Sequence, residues 1–184
     1  MKTDLSKFDN SWYKPGPKIK IVLWYMVNVL IIRPKWNVFS GIKVKILRSF
    51  GAKIGQGVII KPGVNIKYPW KLKVGKHCWI GENVWIDNLD LVILEDHVCI
   101  SQGAFLECGN HNYQKPTFDL IIAPITLKEG SWVGAQSIVA PGVTLHSHAI
   151  LSLGSTANQD LEAYHIYQGN PAAKVKKRNL KQEF

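Results

Sequence analysis

From Ile54 onward an aliphatic residue returns at every sixth position: Ile54, Ile60 and Ile66, then Val74, Ile80 and Ile86, then Leu94, Ile100 and Leu106. After a gap the series resumes at Leu127, Val133, Val139, Leu145, Leu151, Ala157 and Ala163. Four places after most of these anchors stands a small or β-branched residue, as at Val58, Cys78, Ala104, Ser137 and Ser155. Glycine often follows the anchor directly, as at Gly55, Gly75, Gly81 and Gly134. A spacing of six turns an α-helix through about 600°, so the anchors would wander around it instead of forming a stripe. A flat sheet would alternate with period two. Period six suits a three-sided prism of short strands, with the anchor and the small residue both facing inward. Residues 54–71, 74–91, 94–111, 127–144 and 145–162 make five coils of eighteen residues, with a partial turn to about 173. The predicted class is an all-β solenoid, a parallel β-helix of five to six triangular coils stacked about 4.8 Å apart.

Two stretches lack the period. Residues 112–126 interrupt it between the third and fourth coils and begin directly after His111, so a loop of about fifteen residues is expected to protrude there. Residues 1–53 form an N-terminal basic and apolar segment. Lys18–Arg33 is helix-compatible and Pro34 stops it; a second short helix is expected over Ile42–Phe50. These helices suit a cap over the open edge of the first coil. The alternative use is a surface-lying segment that meets a membrane through Lys14, Lys18, Lys20, Arg33 and Lys35.

The 184 residues are 46% apolar and 20% charged, which suits one folded domain with short appendages and excludes a disordered chain. The formal net charge of +10 is concentrated at the ends. Residues 1–53 hold eleven Lys and Arg against two Asp, and residues 174–184, expected as a basic tail, hold five against one Glu. The body between is slightly acidic, which does not describe a nucleic-acid reader. Three cysteines are too few and too odd for a disulfide framework. Residues 1–10 carry no apolar signal core, and Ile19–Ile32 is too short to span a bilayer. A cytoplasmic protein is expected, with contact at the cytoplasmic membrane face left open.

Six strings carry a family likeness. They are Phe50-Gly-Ala-Lys-Ile-Gly55, Ile80-Gly-Glu-Asn-Val-Trp-Ile-Asp-Asn88, Asp96-His-Val-Cys-Ile-Ser-Gln-Gly103, Gly109-Asn-His-Asn-Tyr113, Trp132-Val-Gly-Ala135 and Gly169-Asn-Pro-Ala-Ala-Lys174. With the hexads, they resemble the bacterial hexapeptide-repeat acyltransferases, most closely the colanic-acid-type O-acetyltransferases of exopolysaccharide biosynthesis. The likeness runs from about Trp12 to Arg178. It implies left-handed coiling, a homotrimer with each site between two subunits, acetyl-CoA as co-substrate, a saccharide or lipid-linked saccharide acceptor, and no metal.

Acetyl transfer from a thioester to a hydroxyl needs a base for the hydroxyl proton, and histidine titrates near neutrality. The resemblance places that base on His111. Asn112 stands where the family often has Asp, so a backbone carbonyl can orient the imidazole instead. The resemblance also implies an oxyanion donor near Gly134-Ala135 and a pantetheine groove along Ala135, Leu153, Gly154, Asn158 and Gln159. Trp132 is either a wall of that groove or an outward aromatic at a subunit contact. Lys174, Lys177 and Arg178 could face the 3′-phosphate. On the acceptor side, Asp87, Asn88 and Asn110 could hydrogen-bond a sugar, and Trp85 and Tyr113 could stack on one. His77 and His97, at one hexad position, read as a stacked surface pair. The cysteines have no partner base, so direct transfer in a ternary complex is expected. Other readings are an acetyltransferase of this fold acting on maltose, a galactoside, serine or an antibiotic, and a non-catalytic scaffold. A γ-carbonic-anhydrase-type metal site needs a second histidine about five residues on, and position 116 is Pro.

Overall fold

The computed structural model describes residues 2–181. The body is a left-handed parallel β-helix of about six turns. Face A stacks Lys53–Ile54, Leu72–Val74, Val92–Leu94, Ile125–Leu127 and Thr144–Leu145. Face B stacks Ile59–Ile60, Trp79–Ile80, Cys99–Ile100, Trp132–Val133, Ile150–Leu151 and His165–Gln168. Face C stacks Asn65–Ile66, Trp85–Asp87, Phe105–Glu107, Ile138–Val139 and Thr156–Ala157. The first three coils are offset by twenty residues (Ile54↔Val74↔Leu94), and later ones by eighteen (Leu127↔Leu145).

The hexad explains the prism. The anchors from Ile54 to Ala157 are buried, and so are the small residues from Val58 to Ser155. A triangular cross-section leaves room for one aliphatic side chain per side and something smaller at each corner. The glycine after the anchor has a steric cause. A Cβ on Gly81 would lie 2.7 Å from the backbone nitrogen of Gln102, and one on Gly134 would lie 2.5 Å from that of Leu153. Corner residues take left-handed backbone, which is why His77, Asn83, His97 and Gln136 recur there among glycines. His77 and His97 stack at 5.5 Å, the expected pair.

The N-terminal end is closed by side-chain donors. Coil one gives its N–H groups to coil two, as in Gly55 N–H to the Val74 carbonyl, so its own carbonyls point outward along the axis. Helices α1 (Lys18–Val27, continued by a π-helical turn Asn28–Ile32) and α2 (Ser40–Ser49) meet them. Arg48 donates to the Ile54 and Gly55 carbonyls, Ser40 to Val58, Lys43 Nζ to Lys61 at 2.8 Å, and Trp24 Nε1 to Ile66 at 2.8 Å. Buried carbonyls left unpaired would be costly, so the polar tips of the cap matter as much as its apolar face. Lys43 is fully buried, and burial pushes its pKa down, with Lys61 adding to the shift.

Four details differ from the sequence expectation. The final anchor is not Ala163, which is exposed; Leu161, at 0% exposure, bridges Leu145. The last turn is two residues short because Asp160 folds back to accept from Thr144 N–H, pulling Leu161 inward early. The second helix opens at Ser40, whose hydroxyl both donates to coil one and accepts from Ile60 N–H. The interruption is longer at its start and shorter at its end than 112–126. It leaves the prism at Gly109, and Ile125 is already back in the core. The expected tail from 174 opens as strand Ala173–Lys177, antiparallel to His165–Gln168.

Candidate functional site

The interruption is a hairpin. Gly109–His111 pairs antiparallel with Leu120–Ile122, His111 opposite Leu120. Its tip is held by Asp119, which accepts from Thr117 Oγ1 at 2.6 Å and pairs with Lys115 at 2.9 Å. Those contacts hold the Asp119 carboxyl below the usual range. His111 sits on the first strand. Its Nδ1 lies 2.8 Å from the Phe118 carbonyl oxygen, which can only accept. In the neutral ring this contact puts the proton on Nδ1 and leaves the lone pair on Nε2. The ring stacks on Phe118 at 5.1 Å and meets Phe8 at 5.8 Å. With Leu5, these residues line an open cavity of about 290 Å³. The orienting group is thus a carbonyl, in the place where Asn112 supplies no carboxylate. Asn112 instead donates its backbone N–H to the Asp119 backbone carbonyl.

The predicted coenzyme residues separate into two groups. Trp132, Gly134, Ala135 and Leu153 line one cavity of about 510 Å³ on face B, together with Ser101, Gln102, Ser152, Gln168 and Lys176. Trp132 is 42% exposed and donates Nε1–H to Ser101 Oγ at 2.8 Å. Gly154, Asn158, Gln159, Lys174, Lys177 and Arg178 lie outside that cavity. Lys174 pairs with Glu162 at 2.7 Å. Arg178 donates to the Gly130 and His148 carbonyls, so both cations are engaged in closing the last coil. Lys176, on the return strand, is the cation of this cavity, which sequence reasoning missed; the signal was its alternation with Lys174. The Gly134 N–H is taken by the Leu151 carbonyl at 2.8 Å.

The acceptor candidates divide similarly. Trp85 and Asp87 line a cavity of about 250 Å³ between face C and α1. Asp87 pairs with Lys67 at 2.8 Å, and Trp85 stacks on Phe105 at 4.7 Å. Asn88 is a correction. It is 0% exposed, and its side-chain amide is spent on both backbone groups of Tyr68, where it locks a coil corner out of reach of any ligand. Asn110 is exposed on the hairpin and accepts from His111 N–H. Tyr113 is exposed at the hairpin tip. Glu107, in register with Asp87, was not anticipated. Burial raises its pKa, Asp87 adds to the rise, and His111 and Lys67 oppose it. An acid twenty residues after Asp87 was the available sign.

The three cavities share no lining residue. A single chain therefore does not join His111 to the face B groove. Among the described residues no three His, Cys, Asp or Glu side chains gather as a metal site.

A hexapeptide prism broken once, by a hairpin that presents an oriented histidine, defines the class as a hexapeptide-repeat acetyltransferase. No protein-family model matches the chain. It is 35% identical over 176 residues, 95% of its length and 97% of the relative's, to WcaF of Escherichia coli (strain K12), an acetyltransferase assigned to colanic acid biosynthesis. The chain belongs to this WcaF family, and it is an acyltransferase. Solved structures agree on the fold. The acetyl coenzyme A complex of the hexapeptide-repeat acetyltransferase VCA0836 from Vibrio cholerae O1 biovar eltor superposes with a TM-score of 0.79 at 17% identity, covering 88% of each chain. A galactoside acetyltransferase in complex with coenzyme A gives 0.78 at 18% identity, covering 88% of this chain and 82% of the other.

Proposed function

We propose that the protein transfers an acetyl group from acetyl-CoA to a sugar hydroxyl during assembly of a surface polysaccharide, with His111 as general base. The observation that carries this reading is the 2.8 Å contact between His111 Nδ1 and the Phe118 carbonyl, which leaves Nε2 as a proton acceptor beside an open cavity. Nε2 takes the hydroxyl proton, and the sugar oxygen adds to the thioester carbonyl. The C–S bond then breaks, and the sulfur leaves with the proton that the imidazolium returns. With Gly134 N–H already bonded, Ala135 is the proposed oxyanion donor. Trp132, Ala135 and Leu153 form the pantetheine wall, and Lys176 attracts the phosphates. Trp85 and Asp87 receive the sugar.

Transfer is direct. Burial pushes the Cys108 thiol up to about 12 and raises Cys78 and Cys99 as well, which keeps all three protonated and poor as acyl carriers. A homotrimer completes the site: His111 from one subunit meets the face B groove of its neighbour, which accounts for their separation within one chain. Relatives named as a colanic acid biosynthesis acetyltransferase and a galactoside O-acetyltransferase support a saccharide acceptor.

The test is release of free thiol from acetyl-CoA against a panel of glycan precursors, wild type beside His111→Ala. A drop of about 10²–10⁴-fold in kcat is expected. A variant that keeps the wild-type rate overturns the assignment.

A further inference from the structure

Helix α1 has two apolar faces where a cap needs one. The inner face is spent: Trp24 and Ile32 are buried against the first coil. The outer face exposes Ile19, Leu23, Met26 and Leu30, a single stripe at helical spacing, and Trp36 extends it into the turn toward α2. A helix on the surface of a water-soluble body ordinarily places charge there. Along the chain on either side of this stripe the charges have one sign. From Asn10 to Gly81 the chain holds fourteen Lys and Arg and no Asp or Glu. Lys18 and Lys35 flank the stripe at its two ends and are exposed.

We propose that this face docks onto an anionic lipid bilayer, with α1 lying in the surface plane, its outer stripe among the acyl chains and the flanking cations at the depth of the phosphates. No helix among the described residues is long and apolar enough to cross a membrane, so the contact is with a surface. Charge complementarity selects the bilayer over a second copy of the chain. Symmetric pairing of this face with itself would bring like charges together. Helix α1 and the π-helical turn also line the cavity that holds Trp85 and Asp87, through Ile21, Tyr25 and Asn28. Docking would therefore bring that cavity close to the lipid surface. Delivery of a lipid-linked saccharide by this route rests on the acetyl-transfer reading above; docking itself does not.

The experiment is sedimentation of the full chain with vesicles of phosphatidylcholine alone or with added phosphatidylglycerol. The wild type is expected to sediment with the anionic vesicles and to bind the neutral ones about tenfold more weakly or less. Leu23→Glu with Met26→Glu should lose binding about tenfold or more, and Lys18→Glu with Lys35→Glu should lose the preference for anionic lipid. All forms should cleave acetyl-CoA equally with a water-soluble acceptor and no vesicles. Wild type that stays in the supernatant with both vesicles overturns docking, as does a Leu23→Glu, Met26→Glu variant that binds like wild type. A fall in oligomeric mass in that variant, with no vesicle binding by wild type, assigns the face to contact between copies. Vesicle binding without acetyl transfer by wild type overturns the catalytic reading and supports docking.

Discussion

Faces A and B are built on the same hexads and have the same interior, yet their outer surfaces differ. The outward column on face A reads Lys53, Lys73, Ile93, Thr126 and Thr144 in register. On face B it reads Ile59, Trp79, Cys99, Trp132, Ile150 and Ile166. Face A is a solvated wall. Face B is an apolar ladder with two half-exposed tryptophans, more than a lone subunit needs to show to water. The inward half of the repeat determines the prism. The outward half is free of that duty, and there the faces take separate tasks.

One strand tests the contrast most sharply. Val133 and Trp132 are adjacent, one at 0% exposure and one at 42%. Val133→Asp buries an unpaired carboxylate and should abolish the folded state, with no cooperative unfolding transition left to observe by circular dichroism. Trp132→Asp should fold, yet light scattering should show the mass dropping to about one third, as separation of the proposed trimer requires. The same change at Ile93 on face A should leave the mass intact; if both behave alike, the faces do not differ in function. At the closed end of the prism, Arg48→Ala strips the Ile54 and Gly55 carbonyls of their donor and should lower stability by about 1–3 kcal/mol in urea.

The smallest effect is expected on face C, at Glu107. Its folded pKa lies above the ordinary 4.5 because burial, then Asp87, disfavours the anion. The folded state thus holds a proton that the unfolded chain has released. Stability falls as pH rises from about 4.5 through the raised value, and the neutral form's advantage is complete only below that window. Glu107→Gln should flatten this fall. Parallel urea midpoints for wild type and variant, at mildly acidic and neutral pH, would remove Glu107 from the account.

The prism was legible because its cause is local and repeated: each inward position obeys the same steric rule, so sixteen anchors spell one object. Only Ala163 misled, because Asp160 shortened a turn in a way that periodicity cannot register. Site geometry was less legible because it depends on aperiodic contacts. Phe8 and Leu5 reach His111 across about a hundred residues, and Asp4 N–H bonds the Pro116 carbonyl at 2.8 Å to hold them there. Asn88 has the right chemistry for a sugar, yet its partner is the backbone of Tyr68, set by the stacking of two corners. The sequence offers Arg178 and Lys174 to the 3′-phosphate because it does not show which carbonyls and carboxylates a returning strand will meet.

The donors of α2 at one end and the antiparallel return of Ala173–Lys177 at the other act as stoppers on a rod. Parallel rungs by themselves have no reason to stop adding, and two unsealed ends of such a rod would join neighbour to neighbour into a filament. With both ends plugged, length becomes a quantity the gene can set. One more eighteen-residue rung inserted after Leu145, repeating the Leu127-to-Leu145 step, would lengthen the face B channel and leave both plugs and the histidine hairpin as they are.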